Sequence, residues 1–259
     1  HSFPTRRSSD LLVGLGNVQL AGDVCNDYAN ASYDRLFNFT LPGTQKLGEV
    51  YGLSGCEIRF RLRPPSSDSL LQNGVTAADR EFMRQSSIPE GAIDGPPPRT
   101  AVYALGTATR NAEIKRFDWK LIARYTLTDC ANLEDGEKNT FLHLSGGDQL
   151  RPVITFHAED LFRDGISFAS VRRFDTIASA DKNADGLVTL EELADLPAPE
   201  LPNDADAGGI DAGIEIPGTV SLPGWAGFMV ERLLPLMLRY DGNPCQIFAD
   251  RGPGGGGPF

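Results

Sequence analysis

The chain has 259 residues, of which 41% are hydrophobic and 8% aromatic, and its 24 basic and 35 acidic residues give a formal net charge of −11. This is enough apolar material for one large or two small domains, and it excludes a fibre or wholesale disorder. The acidic balance argues against nucleic acid as a partner and is compatible with an exported protein that handles cations.

Residues 1–11, HSFPTRRSSDL, resemble the translation of a sequencing-library adapter joined to a truncated reading frame, and are set aside as artefactual or disordered. The stretch LVGLGNVQLAGDV (12–24) reads as a strand. Its Gly14 and Gly16 lack the third glycine of a dinucleotide loop. LFNFTL (36–41) is a second short apolar run. In CEIRFRL, Cys56, Ile58, Phe60 and Leu62 alternate with Glu57, Arg59 and Arg61, the pattern of a strand with one wet face. Pro64 and Pro65 end it. Thr76 then opens a helix, TAADREFMRQ, with Asp79 at the third position to complete a capping box.

TAVYALGTAT, IKRFDWKLIARYTL, TFLHL and RPVITF follow as further strands separated by turn-rich segments. The expected fold is therefore mainly β, an antiparallel β-sandwich over residues 12–160. An EF-hand-like segment (161–196), a flexible linker rich in Pro, Gly and Asp (197–224), a C-terminal helix and strand docking on the sandwich (225–250) and a disordered tail (251–259) complete the chain. Trp225, Phe228, Met229, Leu233, Leu236 and Met237 form the apolar face of that helix, with a kink expected at Pro235. No apolar run is long enough to span a membrane.

Cys25, Cys56, Cys130 and Cys245 show no CxxC pairing, which disfavours a zinc ribbon or a thioredoxin-like site. Four cysteines allow two disulfides in three connectivities. The sequence does not choose among them.

The sharpest chemical pattern is DKNADGLVTLEE, residues 181–192. Calcium takes six to eight oxygen ligands, and a twelve-residue loop supplies them from positions 1, 3, 5, 7, 9 and 12. These positions hold Asp181, Asn183, Asp185, Leu187 through its carbonyl, Thr189 and Glu192, with Gly186 at the turn and Val188 pointing into a core. Val171, Phe174, Ile177 and Ala178 form one face of an entering helix, whereas Pro197 keeps the exit helix short. The stretch resembles an EF-hand, but a solitary one. Asp204–Glu215 is a degenerate second loop with Gly208 at position 5 and Asp211 at position 8, and prolines leave it no framing helices.

The segment from Leu161 to Leu193, with its LF, RFD and ADKNADGLVTLEEL elements, is similar to a family of bacterial exported β-sandwich proteins of poorly defined function. The resemblance implies a periplasmic, secreted or cell-surface address. The resulting expectation is a non-enzymatic calcium-binding protein in which the ion acts as a structural clip.

A periplasmic transition-metal or small-ligand carrier using His157 or Trp119 is the alternative, with His157, Glu159 and Asp160 of HAED as a candidate cluster. A hydrolase is a third reading. No nucleophile motif or phosphate loop is present to support it.

Overall fold

A computed structural model describes residues 10–21, 31–47, 56–85, 99–128, 130, 141–142, 151, 153–165, 170–199 and 222–249. The second calcium-loop candidate, Cys25 and most of the expected linker lie outside these residues.

The protein is mainly β. β1 (Asp10–Ala21), β2 (Ala31–Asn38), β3 (Cys56–Leu62), β4 (Leu70–Leu71), β5 (Thr100–Arg110), β6 (Glu113–Ile122), β7 (Tyr125–Thr128) and β8 (Phe141–Leu142) build one large sheet with β10 (Leu187–Val188) and β13 (Gln246–Ala249). Among the described residues this sheet has ten strands. β9 (Ile154–Phe156), β11 (Leu238–Tyr240) and β12 (Asn243–Pro244) form a second, three-stranded sheet. The expectation of purely antiparallel pairing is corrected: β10 runs parallel to β6, and β4 parallel to β2.

β1 begins at Asp10, inside the segment set aside from the sequence, and Asp10 accepts a hydrogen bond from the buried Asn38 amide. β1 organises the large sheet. One of its edges pairs with β2, while the other is shared end to end by β5, opposite residues 10–13, and β3, opposite residues 15–21. The sheet forks at Gly14. There the chain leaving β3 comes so close that a Cβ would stand 2.2 Å from the Arg63 carbonyl oxygen, which no side chain could tolerate.

One wing, β5–β6–β10, and the other, β3–β7–β13, contribute to one core. Val102, Trp119 and Leu121 come from the first, and Phe60, Leu62, Tyr125 and Leu127 from the second. The same core takes in a helical stretch, α4 (Gly224–Phe228), a π-helical turn (Met229–Leu233) and α5 (Leu234–Leu236). Trp225, Ala226, Phe228, Met229, Val230, Leu233 and Leu234 are all buried, so the stretch is apolar nearly all round and is more deeply enclosed than a docked amphipathic helix. The helix ends earlier than its apolar pattern suggests, because Leu238–Tyr240 turns into β11.

Alternation explains the smaller core. Leu12, Leu36 and Tyr103 project from the opposite face of the sheet and meet Met83 of α1 (Ala77–Arg84). Thr76 and Asp79 cap α1 reciprocally, as their spacing predicts. The predicted strand IKRFDWKLIARYTL divides into β6 and β7 at Ala123–Arg124, and so serves both wings.

Cys130 and Cys245 form a disulfide beside the β7–β13 pair, at a sequence separation of 115. No helix of the described residues is long and apolar enough to cross a membrane.

Candidate calcium loop

The segment begins with a 3-10 turn (Ala158–Phe162) and α2 (Phe174–Ala178), and ends with α3 (Leu190–Ala194). α2 is shorter than expected: Phe174, Ile177 and Ala178 turn inward, but Val171 precedes the helix and is 55% exposed. α3 is short, as Pro197 requires.

The loop turns on two residues in the left-handed region, Ala184 (φ 58°) and Gly186 (φ 80°). Gly186 sits at the sixth loop position, where an L side chain would be strained. Side-chain oxygens then draw positions 1, 3 and 5 together. The Asp185 amide donates to Asp181 Oδ1 at 3.1 Å and to Asn183 Oδ1 at 2.9 Å, while the Asn183 amide reaches Asp185 Oδ2 at 3.2 Å. The Gly186 amide donates to Asp181 Oδ2 (2.9 Å) and the Leu187 amide to Asp185 Oδ1 (2.7 Å).

Positions 7 and 8 form β10, which takes β6 as its partner. The Arg116 amide donates to the Gly186 carbonyl at 2.8 Å, and the buried Trp119 indole N–H donates to the Val188 carbonyl at 2.8 Å. The strand of this loop therefore has its hydrogen bonding satisfied by the main sheet. Val188 is buried in the large core, as expected of position 8. Phe117 stacks on Trp119 with centroids 4.7 Å apart, and Phe162 packs against both rings.

The remaining two predicted ligands face each other. Thr189 and Glu192 make a capping box at the start of α3: Glu192 Oε2 accepts from the Thr189 amide (2.9 Å) and hydroxyl (3.1 Å), and the Glu192 amide donates to the Thr189 hydroxyl (3.2 Å). Among the described residues, no group of three or more His, Cys, Asp or Glu side chains is gathered as a metal site. The donor set of positions 1, 3, 5, 9 and 12 is all oxygen, the chemistry calcium prefers, and Glu192 is bonded within its cap.

Sequence reasoning missed Lys115. Its ammonium lies 2.7 Å from Asp181 Oδ2, and the Asp181 side chain is fully buried. Lys115 holds the Asp181 carboxyl below the usual range, with the Gly186 and Asp185 amides assisting and burial opposing. The same contact raises the Lys115 ammonium, against desolvation and with help from Glu113.

HAED does not act as one cluster. The His157 ring bonds Thr155 Oγ1 (3.1 Å) and Glu159 Oε1 (3.2 Å). Asp160 turns away into a buried ion pair with Arg163 and Arg239. Burial pushes the Glu159 carboxyl up, but its own backbone amide, His157 and Arg172 outweigh this and leave it below the ordinary value. Trp119, the other residue of the carrier reading, is fully buried and its indole N–H is engaged.

Compared with protein-family models, with curated proteins and with solved structures, the chain matches none. The functional reading rests on the loop and the sheet that holds it.

Proposed function

We propose that this is a non-enzymatic, exported calcium-binding protein in which the ion is a structural clip between the C-terminal third and the sheet. The observation that carries the reading is the attachment of a complete twelve-residue loop to β6 through the Arg116 amide and the Trp119 indole. Asp181, Asn183, Asp185, the Leu187 carbonyl, Thr189 and Glu192 would hold the ion. Ordering the loop then orders β10 and the core residue Val188. The ion supplies only electrostatic cross-linking of oxygens.

The two wings that fork at Gly14 support a reading of the large sheet as the layers of a β-sandwich. The Cys130–Cys245 disulfide supports an oxidising, extracytoplasmic compartment. Calcium is abundant there, so a weak site, with a dissociation constant on the order of 10⁻⁴ to 10⁻³ M, suffices.

Calorimetric titration of the full chain with calcium tests the reading, together with thermal unfolding in calcium and in chelator. One site and a higher melting temperature in calcium are expected, with both lost in Asp185→Ala. Absence of heat and of thermal shift up to millimolar calcium would reduce the loop to an acidic turn.

A further inference from the structure

We propose that Lys115 is a resident competitor for the loop's cation: its ammonium neutralises the position-1 carboxylate and must pass to Glu113 when calcium enters. The inference rests on the calcium reading above and names the residue that sets the threshold of that site.

Asp181 is the loop carboxylate that most needs a counter-charge, because its side chain is fully buried whereas Asp185 is exposed. Its two oxygens accept from the Asp185 and Gly186 amides, which are neutral donors. Among the described residues, Lys115 alone brings a full positive charge to it, at 2.7 Å. A buried carboxylate left without one is destabilising, so the lysine keeps the loop folded when calcium is scarce.

The same position makes it an obstacle. Calcium coordinates at about 2.3–2.6 Å from oxygen, so an ion on Asp181 and an ammonium on the same carboxylate would be close neighbours of like charge. Lys115 has somewhere to go. Glu113 Oε1 already lies 3.4 Å from its Nζ, two residues away on the same face of β6, and the Glu113 side chain is 53% exposed. The lysine therefore has a buried carboxylate partner in one position and a solvated one in the other. Calcium binding exchanges the first for the second.

This role predicts the opposite sign from that of an outer-shell group that orients Asp181 for the metal. Removing an orienting partner weakens binding, whereas removing a competitor strengthens it.

The test is calcium calorimetry and thermal unfolding on the full chain, comparing wild type, Lys115→Met and Glu113→Gln. Lys115→Met is expected to bind calcium about tenfold more tightly, the effect of deleting one nearby unit charge. It is also expected to melt lower than wild type in chelator and to gain more from calcium. Glu113→Gln, a change at an exposed position that leaves folding intact, is expected to bind several-fold more weakly. Equal or weaker binding by Lys115→Met overturns the competitor role while wild-type binding leaves the calcium site standing, and unchanged or tighter binding by Glu113→Gln does the same. Heat from Lys115→Met but none from wild type supports the competitor role. Absence of heat from both overturns the site and its gate together.

Discussion

The Tyr125 hydroxyl donates to the Val230 carbonyl at 2.8 Å, filling a place that the central helix leaves open. Leu234, the ordinary α-helical donor to Val230, gives its N–H to Met229. The next candidate along the π-helical turn is Pro235, which has none. The proline expected to kink the helix instead changes its hydrogen-bond spacing, and a side chain from β7 satisfies the remaining acceptor. Tyr125→Phe is therefore expected to lower stability by about 1–3 kcal/mol, the cost of a buried acceptor without a donor. In a Pro235→Ala background the same change should cost less, since residue 235 regains an N–H. Urea denaturation of the four-variant cycle measures this coupling.

Tyr125 and Tyr240 also make a prediction about alkaline stability. Burial pushes the Tyr240 hydroxyl up to about 12, with the Asp241 charge adding to it, and burial and Glu231 push Tyr125 up as well. An unfolded tyrosine ionises near 10, so above that pH the unfolded chain releases protons that the folded chain retains. The stabilising contribution is complete below about pH 10 and declines as pH rises through the folded values. Urea midpoints at about pH 8 and pH 11 should differ accordingly, with these two tyrosines forming tyrosinate only as the protein unfolds. Equal midpoints would contradict their protection.

At the fork of the sheet, Gly14→Ala places a methyl group against the Arg63 backbone, where no side-chain rotation can relieve it. A loss of at least about 1–3 kcal/mol is expected from the forced separation of β3 and β1. Thermal unfolding of the variant measures it.

Asp160 holds two partly buried guanidinium groups, one from Arg163 in the adjoining segment and one from Arg239 on β11. Asp160→Asn removes the charge but not the shape. It should cost about 3–5 kcal/mol, because two cations lose their shared buried counter-ion. Calorimetry should still detect loop binding in any fraction that folds. Loss limited to a few tenths of a kcal/mol would make this pair an ordinary surface contact.

The Cys130–Cys245 crosslink closes a long segment, and in the chain-entropy picture removing it costs up to about 5 kcal/mol. The double variant Cys130→Ala/Cys245→Ala, followed by guanidinium denaturation, is expected to shift the midpoint strongly without changing the β content of the folded state.

Some of this was legible in the sequence because the signal is local. β3 announces itself through strict alternation, and Ile58, Phe60 and Leu62 are buried as that pattern requires. Thr76 and Asp79 satisfy a cap three residues apart. Thr189 and Glu192 carry the same spacing, but ligand positions 9 and 12 coincide with it, so one pair of residues answers to two roles. Lys115 has no local mark: it is an ordinary charged residue of an alternating strand, brought to Asp181 across 66 positions of sequence. The division of β6 from β7 is hidden for a similar reason. Nothing at Ala123–Arg124 breaks the pattern, and only the two wings require the chain to change sides there.

β13 gives the sheet a temporal order. Its partner β7 leaves the ribosome well over a hundred residues earlier, and the helix that shares its core also comes late. Phe60, Tyr125 and Leu127 are thus synthesised long before the residues that cover them. A growing chain must carry these apolar side chains uncovered until the helix and β13 emerge, and that interval is its period of greatest exposure to aggregation.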